Sequence, residues 1–350
     1  MTQTHCADAV HVGPHRDIAI AIPARNEAAT IVACLHAIDT AAARITPGVA
    51  TVIVLVNNSD DATAMLARSA AMRNCRVVVE EIELSPGHAG AARTAALDRA
   101  VAMLPPTGIV MTTDADSEVA PDWMVANLAE IAAGADAVAG VVTFSAATLA
   151  ALPSFGSARA LEWRLADLHA RLGTLIDPVA HDPWPNHIWA WGASLAATAA
   201  AYHAVGGMPS VPLAEDRAFA ARIEAHDLRL RRSHAPVVYT SARRSGRAPG
   251  GFADLIDAYA TTADTPCDAA LEPTRVLVQR LRLRARCRAE GTSGFGARWA
   301  IIEATTPALQ RQRLRPDALP AEVALAGRII AALSPGATCR ADIPASAPGA

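Results

Sequence analysis

The chemistry-bearing residues of this chain fall where apolar runs end. The run Ile109 to Thr112 leads into Asp114-Ala115-Asp116. Side chains two apart in extended backbone share a face, so two carboxylates stand together there and repel unless a cation lies beside them. A hard divalent ion held by one or two carboxylates, with water and phosphate oxygens completing its shell, suits Mg2+ or Mn2+. Two other runs end in polar clusters, Pro23-Ala24-Arg25-Asn26-Glu27 and Asn57-Asn58-Ser59-Asp60-Asp61. Each alone reads first as an ordinary polar turn. Three in succession point to one ligand-binding rim.

The elements that must position them follow from hydrophobic pattern. Asp17 to Pro23, Thr51 to Val56, Val77 to Glu81, Ile109 to Thr112 and Ala137 to Phe144 read as strands, the second a continuous β-branched run typical of a strand buried on both faces. Helical stretches alternate with them: Glu27 to about Ile38, Ala62 to Ala71, Gly87 to Met103 and Pro121 to Ala133. Strands alternating with helices predict βαβ units and a mostly parallel, Rossmann-like central sheet flanked by helices. Ligands of such sheets bind beyond the carboxyl ends of the strands. Further along, Ser157 to Leu172 and Glu215 to His226 read as helices, Trp189 to Thr198 and Arg229 to Ser241 as strands, and Thr274 to Glu290 as an Arg-rich helix. The expected organisation is a flexible N-terminus (1–16), a main domain (17–265, with halves 17–145 and 146–265), a helical C-terminal extension (266–340) and a disordered tail (341–350).

Composition narrows the function classes. All 31 basic residues are Arg, against 34 acidic ones. Schiff-base, pyridoxal-phosphate and Walker A chemistry all need a lysine and are excluded. A net charge of -3 offers no general reason to bind nucleic acid. Pro23 and Ala24 stand where a dinucleotide fingerprint would place glycines, which disfavours nicotinamide and flavin enzymes. The 6 cysteines have no zinc-type spacing and suit a reducing compartment. No secretory leader pattern opens the chain and no apolar run reaches the roughly 20 residues of a membrane span, so a cytoplasmic protein is expected.

Seven motifs in order resemble family 2 glycosyltransferases: IPARNE (Ile22 to Glu27), VNNSDDAT (Val56 to Thr63), PGHAGAARTAAL (Pro86 to Leu97), TTDADSEVAPDW (Thr112 to Trp123), WGASLAATAAAYHAVGG (Trp191 to Gly207), LAEDRAFAARI (Leu213 to Ile223) and TSARRSGRAPGGF (Thr240 to Phe252). They cover roughly residues 17–260. The resemblance implies a GT-A fold, a nucleotide-diphosphate-sugar donor, and inverting transfer to an acceptor hydroxyl. It implies that Pro23, Arg25, Glu27 and Asn58 line the nucleoside site, with Asn58 standing where members usually have Asp. Arg93 falls near the donor pocket, Asp114 near the ribose, and Asp116 on a divalent metal, Mg2+ or Mn2+, at the diphosphate. Asp216 matches the general base, and Arg243 and Arg244 close on the diphosphate. Trp191, Gly192, Glu215 and His187 fall to the acceptor side, although tryptophans so placed read equally as core.

The chain departs from the family at instructive points. It lacks the Q-x-x-R-W motif of membrane polysaccharide synthases, since Phe295 stands where Gln would precede Arg298-Trp299. In soluble members that use a late His for the metal, the corresponding segment here, Ser241 to Arg247, carries Arg. A catalytically degenerate nucleotide-sugar-binding protein is the alternative. A sugar-phosphate nucleotidyltransferase is disfavoured by the missing Gly-rich loop and Lys. The Arg-rich helix is compatible with a solvated face, a cover over the site or a homodimer contact.

Overall fold

The structure is a computed structural model describing residues 17–46, 50–244, 246, 251–262, 264–291 and 293–334. The expected flexible N-terminus (1–16) and disordered tail (341–350) lie outside the described residues. Strands β1 (Ile18–Ala24), β2 (Ala50–Asn57), β3 (Arg76–Ile82) and β4 (Ile109–Thr112) form the parallel half of an 8-stranded sheet. β5 (Ser117–Val119), β6 (Ala137–Thr143), β7 (Leu195–Thr198) and β8 (Leu230–Thr240) complete it in the order β3-β2-β1-β4-β7-β6-β8-β5. β7 runs antiparallel to both β4 and β6, β5 is antiparallel to β8, and β6 and β8 are parallel. The mostly parallel, helix-flanked α/β sheet is thus the architecture the alternating pattern predicted.

Both faces of the central strands are covered. On one side Ile20, Ile22, Val52 and Val54 pack against α1 (Ile31–Ala42) and α4 (Trp123–Ala132). On the other, Ala19, Ala21, Ile53 and Leu55 meet the small face of α3 (Ala89–Ala102), where Ala96, Ala100 and Leu97 allow close approach. Buried apolar side chains of this size contribute about 1.5–3 kcal/mol each, so the β-branched runs are what hold the sheet together.

The other helices are α2 (Thr63–Ser69), α5 (Ala146–Ala150), the long α6 (Pro153–Ile176), α7 (Ala199–Ala204), α8 (Glu215–Ala225), α9 (Phe252–Thr261), α10 (Thr274–Ala289), α11 (Phe295–Thr305) and α12 (Leu319–Leu333). α9, α10 and α12 pack on α6. Leu165, Leu168 and Leu172 of α6 share a core with Leu271, Val278, Leu281 and Leu319. Among the described residues no helix is long and apolar enough to cross a membrane.

Four local readings are corrected. The helix expected from Glu27 begins only at Ile31, because Asn26 takes a left-handed φ of 54° and the turn after it is tied to the neighbouring loop. The Pro121 helix starts at Trp123. The strand expected over Trp189 to Thr198 shrinks to β7, since Gly192–Ser194 forms a 3-10 turn whose backbone is engaged by side chains rather than by a neighbouring strand. β5 went unanticipated; three residues between two turns carry too little periodicity to read.

Candidate active site

The carboxyl ends of β1, β2 and β4 open onto a cavity of about 630 Å3. Two loops build its floor by holding each other. The Asn26 N–H donates to Ser59 Oγ (3.0 Å), the Glu27 N–H to Thr63 Oγ1 (2.7 Å), and the Asp60 N–H to Asn26 Oδ1 (3.0 Å). Positive φ at Asn26 and at Asn58 (46°) turns both loops sharply, a conformation Asn tolerates better than most residues.

Arg93 is the hub. It projects from α3, which begins after His88 caps the helix through Nδ1 (3.0 Å from the Ala91 N–H). Arg93 Nε donates to Glu215 (2.9 Å), Nη2 to Asp114 (2.7 Å), and Nη1 to the Gly192 carbonyl (3.0 Å) and Thr112 Oγ1 (3.3 Å). It is 7% exposed, and its two carboxylates hold its pKa above the ordinary arginine value against the opposing effect of burial. A side chain on Gly192 would place Cβ 2.7 Å from this guanidinium, so glycine is required for the approach.

Asp216 sits one residue beyond Glu215 at the start of α8. Ala214, just before them, takes a left-handed φ of 61° that costs energy in a residue with a Cβ. The turn sends the two carboxylates different ways: Glu215 inward to Arg93, Asp216 to the cavity. Asp216 Oδ2 accepts the Gly192 N–H (2.8 Å) and Oδ1 the Arg217 N–H (2.7 Å). Burial first, then the Glu215 charge, raises its pKa above the usual carboxylate value. Gly192 is therefore held through both of its flanking peptides, its N–H by Asp216 and its C=O by Arg93.

Asp116 and Glu27 share a cation from this chain. Arg243 donates to both Glu27 oxygens (2.7 Å each) and lies 3.1 Å from Asp116 Oδ2, which also accepts from Ser241 Oγ (2.7 Å). Burial raises the pKa of both carboxyl groups and the guanidinium opposes the rise. Asp114 and Asp116 are thus each matched by an arginine, Arg93 and Arg243.

Among the sequence-predicted residues, Pro23, Arg25, Glu27, Arg93, Asp114, Asp116, His187, Trp191, Gly192, Glu215, Asp216 and Arg243 all line the one cavity. Asn58 and Arg244 are not on its wall. Asn58 donates to Glu83 (2.7 Å) and accepts the Leu84 N–H (3.2 Å), shaping the loop, while Asn57 beside it reaches the cavity. Arg244 pairs with Asp257 in solvent (2.6 Å). His187 lines the wall with its hydrogen bonds spent: Nε2 lies 3.1 Å from the Ala139 carbonyl and Nδ1 accepts the Trp189 N–H (3.1 Å). Burial pushes its pKa down to about 3, so it is neutral; it stacks on Trp191, which also stacks on Trp189. Trp184 and His181, in the proline-rich loop of residues 177–186 just before His187, stay off the cavity wall, Trp184 lying under Arg171.

Sequence reasoning missed the far wall: Phe144, Phe155, Arg159, Trp163 and Phe252. A signal for part of it exists. Phe155, Arg159 and Trp163 recur every four residues, a single stripe on α6.

Residues 19–151 match the family model described as glycosyl transferase family 2. Over that stretch the chain is similar to family 2 glycosyltransferases. No curated protein matches the chain. Similar solved structures include a mannosyltransferase of Pyrobaculum calidifontis in complex with GDP-Man and Mn2+ (16% identity, 91% of this chain and 87% of that one, TM-score 0.47). TarS of S. aureus (residues 1–349) with UDP-GlcNAc aligns over 84% of this chain and 78% of its own at 16% identity and a TM-score of 0.47. Glucosyl-3-phosphoglycerate synthase of Mycobacterium tuberculosis with phosphoglyceric acid aligns over 71% and 80%, at 18% identity and a TM-score of 0.43.

Proposed function

We propose that the protein is an inverting glycosyltransferase that moves a sugar from a nucleotide-diphosphate sugar to an acceptor hydroxyl, with Asp216 as general base. The observation that carries this is the Asp216 carboxylate, held by the Gly192 N–H and facing the same cavity as Asp114 and Asp116. The acceptor oxygen attacks the anomeric carbon as its proton passes to Asp216. The bond from that carbon to the diphosphate oxygen breaks, and the nucleoside diphosphate leaves with the electron pair. One displacement inverts the anomeric centre. A carboxyl group whose pKa is raised is the better base near neutral pH, and such catalysis is worth roughly 10^2–10^4 in rate.

Among the described residues no group of three His, Cys, Asp or Glu could hold a metal. A Mg2+-type ion needs only one or two carboxylates when phosphate and water complete its shell, and Asp116 on the cavity wall fits that role. An ion held by Asp116 would neutralise charge on the leaving diphosphate. Arg25, exposed at the rim, and Arg243 supply fixed positive charge on the same side. Arg93, fully engaged by protein groups, positions Asp114, Glu215 and the Gly192 peptide. A cytoplasmic location is part of this proposal.

The degenerate-binder alternative draws on Arg243, which occupies Asp116 in the free protein. One experiment separates the two. The protein is incubated with UDP-glucose, UDP-GlcNAc and GDP-mannose, with Mn2+, and nucleoside diphosphate release is followed. Turnover is expected with at least one donor, and Asp216→Asn should abolish it while leaving nucleoside diphosphate affinity within about twofold. Tight donor binding without release of diphosphate supports the binder; an unchanged rate in D216N removes Asp216 from the mechanism.

A further inference from the structure

We propose that the acceptor carries an oxyanion, a carboxylate or a phosphate, on an apolar body, and that Arg159 receives it. This rests on the glycosyltransferase reading and names the acceptor class of the same cavity. Arg159, on α6, lines the cavity and is 4% exposed. Its Nε and Nη1 have no hydrogen-bond partner among the described residues. The nearest carboxylate, Glu162, is 3.6 Å from Nη1, beyond a good hydrogen bond, and its oxygens already accept from the Tyr259 hydroxyl and the Asp268 N–H.

Buried N–H groups without partners cost a protein stability, and a charged donor costs more than a neutral one. Arg93 in the same cavity shows the contrast, with each of its three nitrogens bonded to a protein oxygen. Arg159 is instead fixed by rings: its guanidinium carbon lies 5.3 Å from the Tyr259 ring centre, 5.8 Å from Phe155 and 6.0 Å from Trp163. A cation held in place by aromatic faces, with donors left over, is preorganised for an oxygen that arrives with the ligand. Phe144, Phe155 and Phe252 pack together beside it and offer the apolar surface for the rest of that ligand.

The test uses matched probes on the full chain: 4-hydroxyphenylacetate, its amide, and 4-hydroxybenzyl phosphate, followed by quenching of tryptophan fluorescence. UDP and GDP are titrated in parallel. The wild type is expected to bind at least one of the two acids roughly tenfold or more tightly than the amide, and the two acid arms show whether carboxylate or phosphate is preferred. Arg159→Met should erase that ratio with nucleotide affinity unchanged; Arg159→Gln serves if the Met variant does not fold. Equal affinity for acids and amide, absence of acid binding, or a ratio that survives in the variant overturns the proposal. Absence of nucleotide binding in the wild type would instead overturn the glycosyltransferase reading, so the two failures are distinct.

Discussion

Replacing Arg93 by Met should unfold the protein more readily than any single change at the cavity surface. The substitution keeps the aliphatic stem and deletes the charge. It leaves Glu215, with a side chain 9% exposed, as a buried carboxylate with its cation gone. Removing one partner of a buried pair costs about 3–5 kcal/mol. Asp114, 34% exposed, is hydrated from the cavity and adds little to that figure. Total stabilities of about 5–15 kcal/mol make the loss a large fraction of the whole. Urea unfolding of the wild type, R93M, E215Q and the double variant forms a cycle that isolates the pair. The double variant should recover roughly 1–3 kcal/mol relative to the sum of the singles. A loss below about 1 kcal/mol in R93M, or strict additivity in the cycle, would refute the claim that this ion pair holds α3 to α8.

Three further outcomes are expected. In Gly90→Ala the new Cβ would lie 1.9 Å from the Val211 carbonyl oxygen, so α3 must retreat from the segment leading into Asp216; stability should fall by about 1–3 kcal/mol and transfer by tenfold or more, read by urea unfolding and initial rates. Arg243→Gln should bind Mn2+ roughly tenfold more tightly than the wild type in the absence of nucleotide, measured by electron paramagnetic resonance, because a like charge beside Asp116 is gone. Burial holds His169 neutral, with its pKa down at about 3; unfolding lets it take up a proton at its ordinary value of 6.5, so its contribution to stability is present above that pH and is lost as pH falls toward 3. His169→Gln should therefore narrow the stability difference between pH 7.5 and pH 4.5 in urea unfolding curves.

The parts of the fold that were legible in sequence are those where one force dominates. β1 and β2 are runs of Ile, Val and Ala buried on both faces, and nothing competes with the strand reading. Cavity-lining residues at the ends of β1 and β4 were visible for the same reason, since a change from apolar to charged marks a strand end in a buried sheet. Where side chains capture backbone groups the reading weakens. The segment before β7 is apolar enough for a strand, yet Asp216 and Arg93 take the Gly192 N–H and C=O. Asn58 was expected on the nucleoside, but at a left-handed φ of 46° its amide closes its own loop, and Asn57 faces the cavity. Arg159 escaped notice because its meaning lies in what it lacks. Packing against Tyr259 from α9, far along the chain, is what brings its isolation into view.

Gly192, anchored through both its N–H and its C=O, divides the site into parts that tolerate change very differently. Trp191 and Asp216, the proposed base, meet at the Trp191–Gly192 amide, so alterations there should disturb chemistry and donor grip together. The aromatic lining contributed by α6 and α9 hangs on none of it. Directed evolution toward new acceptors should accordingly accumulate its successful substitutions on those two helices, leaving the amide and its anchors untouched.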